Sequence, residues 1–102
     1  MSYAVKILTP ADTNTVEAAL LYDAQLPGLG AEFMAEVDAA AQRLTDFPGI
    51  HRVRFADVRR APVKRFKFYG LCFLIQQDEV WVIAVHHGRR HPRWLRGRRR
   101  KL

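Results

Sequence analysis

The groups with chemistry to offer in this chain are four histidines, one cysteine and many arginines. His86 and His87 are neighbours, so in a strand they point to opposite faces and only one can serve any given site. Histidine changes charge near neutral pH. That makes His87, at the end of an apolar stretch, the candidate general acid or base; a structural histidine at a strand terminus is the other reading. Arg59, Arg60, Arg89, Arg90, Arg93 and Arg96, with Trp94 among them, are candidates for binding. Guanidinium pairs bidentately with phosphate or carboxylate. The competing reading is a solvated basic face. Cys72 stands between Leu71 and Phe73 and reads as a small buried hydrophobe. A single cysteine excludes an internal disulfide. Two adjacent histidines and one distant cysteine do not make a zinc site, so no metal or other cofactor is expected.

The charge of this 102-residue chain is +7, and it is segregated. Residues 1–51 carry a net −5, whereas residues 52–102 carry +12. Solubility alone does not require segregation. The asymmetry suggests an electropositive surface that meets a polyanion or an acidic protein. No apolar run approaches the ~20 residues of a membrane span. No basic segment followed by a long apolar stretch marks a secretory signal. A cytoplasmic protein is expected, with no membrane partner.

The elements that position these groups follow from periodicity. Residues 3–8 alternate as a short strand. Thr9-Pro10 then reads as an N-cap followed by proline at the first helical position. The helix is expected over 10–25, with Val16, Ala19, Leu20 and Asp23 on its buried stripe. Pro27-Gly28 breaks it. Phe33, Val37, Ala40, Leu44 and Phe47 recur at helical spacing and build the apolar face of a second helix, which Pro48-Gly49 ends. Three strands follow, over 58–66, Tyr69–Gln76 and Glu79–His87, the last two joined tightly by Gln77-Asp78. Pro62 demands a bulge or an edge position. Residues 90–102 are read as a short helix packed by Trp94 that then frays, with 98–101 disordered. The expected architecture is α+β in the order β-α-α-β-β-β: a small, mostly antiparallel sheet on an N-terminal helical hairpin, with a basic C-terminal segment. It is one domain over 1–97 with a basic tail at 98–102.

Three segments, in chain order, resemble the RelE/ParE superfamily of toxins. They are Leu29-Gly30-x-x-Phe33-x-x-Glu36-Val37, then Asp57-Val58-Arg59-Arg60-Ala61-Pro62-Val63-Lys64-Arg65-Phe66, then Val85-His86-His87-Gly88-Arg89-Arg90-His91-Pro92 followed by Trp94. The resemblance covers nearly the whole chain. It implies the toxin half of a type II toxin–antitoxin (plasmid stabilisation) module. Its partner would be a cognate antitoxin whose acidic or amphipathic C-terminal segment wraps the toxin. The superfamily splits by target. RelE-like members enter the ribosomal A site and cleave mRNA; ParE-like members inhibit DNA gyrase without known hydrolysis. One departure stands out: Arg65-Phe66-Lys67-Phe68-Tyr69 replaces the Arg-Phe-Pro-Tyr usual in ParE-like chains.

Metal-independent RNA cleavage needs a base, an acid and cations for the phosphorane charge. On the RelE-like reading Lys64 and Arg65 on a strand, His87, and Arg90 just beyond it would supply them. Against that reading, Tyr69 is the last tyrosine and Trp94 holds the nearest late aromatic slot. An indole N–H donates a hydrogen bond but is no acid–base catalyst. Only Asp57 accompanies the basic strand. The spacing favours the ParE-like, gyrase-binding branch. The alternatives are a ribosome-dependent mRNA endonuclease and an inactive toxin-like domain that only binds its partner.

Overall fold

The computed structural model describes residues 2–90 and 92–102. The chain runs β1 (Ala4–Ile7), α1 (Thr9–Gln25), α2 (Leu29–Arg43), a 3-10 turn (Pro48–Ile50), β2 (Val53–Phe55), β3 (Val58–Pro62), β4 (Tyr69–Gln76), β5 (Glu79–His87) and α3 (Pro92–Arg100). The fold is α+β, with the helical hairpin on one face of a five-stranded sheet ordered β1-β5-β4-β3-β2. β1 pairs parallel with β5, and the other three pairings are antiparallel. One strand exceeds the expected order: β2 is only three residues long, too short for alternation to reveal. α3 is the expected C-terminal helix, nine residues long.

The hairpin turns where proline and glycine interrupt it. Gly28 sits in the left-handed region at φ 92°. Asp23 Oδ1 accepts hydrogen bonds from the backbone N–H of Gly28 (3.1 Å) and Gly30 (2.8 Å), which caps α2 from the end of α1. Gly30 lies where the helices cross. A Cβ there would overlap the Ala19 carbonyl oxygen and the Asp23 carboxylate.

Several local expectations need correction. Thr9 is the first residue of α1 and Leu8 its N-cap, without a side-chain bond. The buried stripe of α1 is Ala11, Asn14, Thr15, Ala18 and Ala19. Val16 and Leu20 are exposed instead. Small residues let α1 lie close to β5 and α2, and that close approach outweighs the burial of larger side chains. In α2, Phe33, Val37, Ala40 and Leu44 are buried as expected. Phe47 is not: it lies past the helix end and is exposed. β3 stops at Pro62 rather than at Phe66. Proline has no N–H to donate, and Pro62 lies beyond the reach of β2, on the open edge of its strand. The chain then turns through Lys64 and Arg65, the latter at φ 71°.

The sheet separates two cores. On the hairpin side, Phe33, Val37, Leu44, Leu71, Phe73, Val80, Val82 and Val85 pack together. Rings crowd one end of this core: Phe33 lies 5.0–5.3 Å from Tyr22, Phe66 and Tyr69, centroid to centroid. Such tilted and edge-to-face pairs add to what their burial contributes. On the other side Val58, Cys72, Leu74, Ile83 and Ala84 form a smaller core that Leu95 of α3 closes.

The last residues are ordered, contrary to the disordered segment expected over 98–101. α3 continues through Arg100. Arg98 Nη1 donates to the Ile83 carbonyl (2.8 Å) and to Asn14 Oδ1 (3.1 Å), and Asn14 Oδ1 also accepts the Val85 N–H (3.3 Å). Arg99 forms a two-pronged pair with Asp57 in the β2–β3 turn, at 2.8 and 2.9 Å. The basic run is therefore tied to α1, β5 and the β2–β3 turn.

Candidate functional site

One irregularity in β5 decides which histidine meets which face. Before it, Val80 and Val82 face the hairpin. The register slips between Cys72 and Phe73 of β4: Phe73 lies opposite Val82, Cys72 lies opposite Ala84, and Ile83 is left without a partner. This bulge inverts the alternation. After it, Val85 and His87 lie on the hairpin side, and Ala84 and His86 on the α3 side. The bulge also frees the Ile83 carbonyl that Arg98 captures.

A cleft of about 440 Å³ opens on the α3 side, between the ends of β2, β3 and β5 and the first turns of α3. Arg52, Arg54, Arg59, Arg60, Arg90 and Arg96 line it, with His86, Phe55, Val58, Cys72 and Leu95. Arg59 and Arg60 are anchored to backbone. Arg59 donates to the carbonyls of His51 (2.6 Å) and Gly49 (3.3 Å). Arg60 donates to those of Phe68 (3.0 Å) and His86 (3.1 Å). Arg90 lies over the Trp94 ring (4.6 Å) and Arg96 over Phe55 (5.6 Å). Among the described residues no carboxylate and no tyrosine lines the cleft.

His86 is nearly buried in this wall and stacks on Trp94 at 5.5 Å. Its Nε2 is the one buried side-chain polar atom without a partner among the described residues. Burial lowers the His86 pKa, and the Arg60 charge lowers it further, against a hydrogen bond with the Arg90 backbone that raises it. Cys72 is buried here too, and desolvation pushes its thiol up to about 11, so it is no nucleophile.

The expected site residues are divided. Arg59, Arg60, Arg90 and Arg96 meet in the cleft. Trp94 is half-buried, flanked by Arg90, Arg98 and His86, and acts as packing between α3 and β5. Arg93 and Arg96 line a second groove with Arg100. Arg89 lies apart, over the Phe68 ring at 5.0 Å. Lys64 and Arg65 stand in a turn rather than on a strand, and neither lines the cleft. Arg65 pairs with Glu32 of α2 at 2.9 Å. His87 faces the hairpin side, stacked on Phe68, with its Nδ1 accepting the Arg89 N–H (3.0 Å). A small groove there brings His87 and Arg90 together. His91, part of the motif quoted above, lies outside the described residues.

Residues 11–92 match the family described as ParE toxin of type II toxin-antitoxin system, parDE. The chain belongs to this ParE toxin family. Its structure is also similar to a chain of the chromosomal ParDE TA system from P. aeruginosa, with a TM-score of 0.75 and 11% sequence identity, over 83% of this chain and 95% of that one. At that identity the likeness carries the fold alone. No curated protein matches the chain. The family match runs from the first turn of α1 through β2, β3, β4 and β5 to the first residue of α3, leaving out β1, and most of the cleft lining falls within it.

In this ParE-family chain, reading by residue type missed Arg52, Arg54 and His86. Arg52 and Arg54 border a strand too short to be read. His86 was set aside in favour of His87 because nothing in Glu79–His87 betrays a bulge. Among the described residues no helix is long and apolar enough to cross a membrane.

Proposed function

We propose that the protein is the toxin of a type II toxin–antitoxin pair and acts by binding DNA gyrase rather than by cutting mRNA. The observation that carries this reading is the scatter of the candidate acid–base groups. Lys64 and Arg65 sit in a turn with Arg65 paired to Glu32, His87 lies on the opposite face of the sheet from the cleft, and the cleft offers no tyrosine or carboxylate. Proton transfer requires groups within hydrogen-bond reach of one another's substrate atoms. Arginines alone can bind and orient an anion but hold their protons too tightly to exchange them. A cognate antitoxin neutralises the toxin, and its acidic or amphipathic C-terminal segment suits a basic surface and the exposed apolar side chains Leu20 and Leu21 of α1.

Induced expression is expected to arrest growth, and co-expression of the neighbouring antitoxin gene to relieve it. Purified toxin is expected to inhibit gyrase supercoiling and to leave mRNA intact on translating ribosomes. Ribosome-dependent cleavage would move the protein to the endonuclease branch. Loss of both activities, without growth arrest, would leave an inactive partner-binding domain.

A further inference from the structure

We propose that the cleft between α3 and the sheet is a phosphodiester-binding groove that takes the backbone of an unpaired nucleic-acid strand. The inference goes beyond the toxin reading, because it concerns what the isolated protein binds and holds whichever target the toxin poisons.

Charge is the first argument. Arg52, Arg54, Arg90 and Arg96 line one cleft, and among the described residues none of them forms an ion pair. The nearby carboxylate, Asp57, is already taken by Arg99. Its pKa is lowered mainly by that hydrogen bond. Like charges gathered without counter-charge repel one another, so the arrangement favours a ligand that supplies several negative charges in a row.

Shape is the second. The cleft has the volume of a small-ligand pocket, enough for a short stretch of unpaired strand and too little for a duplex. Its lining alternates cations with apolar surface: Phe55 lies beneath Arg96, while Val58 and Leu95 line the same cleft. A positive groove with an aromatic ring is the pattern that binds single strands by phosphate contact and base stacking. An acidic peptide would satisfy the arginines but would not cover the apolar lining at Phe55, Val58 and Leu95. The third argument is His86. It is nine-tenths buried in the cleft wall, and its Nε2 has no hydrogen-bond partner among the described residues.

The test is fluorescence anisotropy on the full chain, free of antitoxin, with labelled single-stranded DNA and RNA of about 12 nucleotides, within the usual site size for such grooves. The cleft variant is Arg54→Gln with Arg96→Gln. The control, Lys67→Gln with Lys101→Gln, removes the same charge from exposed positions outside the cleft. Both must keep the wild-type thermal unfolding curve. The cleft variant is expected to bind at least ~10-fold more weakly, with a salt dependence shallower by about 0.7 per lost phosphate contact. The control is expected to change less than about 2-fold. The tighter of the DNA and RNA arms identifies the strand, and either supports the groove. Equal losses in the two variants would show a diffuse basic surface and overturn it. So would tighter binding of a poly-glutamate peptide through the same arginines. If wild-type toxin inhibits gyrase yet binds neither oligonucleotide, the groove falls and the toxin reading stands. Oligonucleotide binding without gyrase inhibition gives the reverse.

Discussion

The two faces of the sheet are built on opposite principles. The hairpin face is covered along its length by α1 and α2, and its core holds the large rings Phe33, Phe66 and Phe73. The α3 face has a smaller core, and only one short helix closes it. On that side arginine side chains replace part of the apolar packing, and a cleft remains. Two adjacent residues of β5 report the difference. His87 packs among aromatic rings on the hairpin side, whereas His86 lines the cleft on the other. One face concentrates what holds the chain folded. The other concentrates positive charge around an open cleft, which is where a binding surface is expected.

This contrast is broken most sharply at Phe33. It is fully buried at the centre of the ring cluster. Phe33→Ala is expected to cost about 3–5 kcal/mol, a large share of the roughly 5–15 kcal/mol a domain of this size possesses. Urea denaturation measures it. A loss under about 1 kcal/mol would mean that the hairpin face is not the dominant core. Gly30→Ala should follow, at roughly 1–3 kcal/mol, because the new methyl group meets the Ala19 backbone oxygen and α1 and α2 must separate. An unchanged unfolding midpoint would contradict that close crossing.

The same contrast explains what could be read in the residues. The second helix and the β4–β5 hairpin were legible because their apolar spacing is set by burial on a large core. α1 was legible as a helix but not in its orientation. Its buried face is made of Ala, Asn and Thr, which carry no hydrophobic signal, while Val16 and Leu20 point outward. The candidate site was legible as a basic C-terminal half and not as a place. Arg59, Arg60, Arg90 and Arg96 were found by type. Arg52 and Arg54 escaped with their short strand. The exchange of His86 for His87 depends on one extra residue, Ile83, whose side chain looks like any other strand isoleucine. A bulge is a property of pairing, and pairing is not written along one strand.

Arg98 sharpens the comparison at lower energy. Its guanidinium ties α3 to the bulge carbonyl and to Asn14 of α1, and burial lowers its pKa. Arg98→Met removes both bonds and leaves the Ile83 carbonyl without its partner. The expected cost is about 1–2 kcal/mol, kept low because the side chain is partly exposed and screened. Hydrogen exchange locates it: amides of α3 should exchange faster, while those of α2 keep their protection. Equal acceleration in both helices would mean that the two faces unfold as one unit.

The smallest effect separates the faces by pH. His86 on the α3 side and His51, edge-on to Phe73 on the hairpin side, both have pKa values lowered first by burial; Arg60 adds to the effect at His86, and Arg43 and Arg59 at His51. Each is held neutral in the folded chain more firmly than in the unfolded one, where histidine titrates near 6.5. The unfolded state therefore binds protons first. The stability each contributes is complete above about pH 6.5 and is lost as pH falls through the lower folded value. Asp57 and Glu79, whose pKa values are lowered by Arg99 and Lys6, act in the opposite half of the acid range, below about pH 4. Melting temperatures at pH 7.5 and pH 5, on either side of the histidine range, isolate the histidines. His86→Gln should flatten the fall between those points, and the amides it relieves at pH 5 should be those of α3. His51→Gln should flatten it as well while leaving the exchange of α3 unchanged. If His86→Gln leaves the slope intact, the imidazole in the cleft wall is not desolvated in solution, and the α3 face is more open than its packing shows.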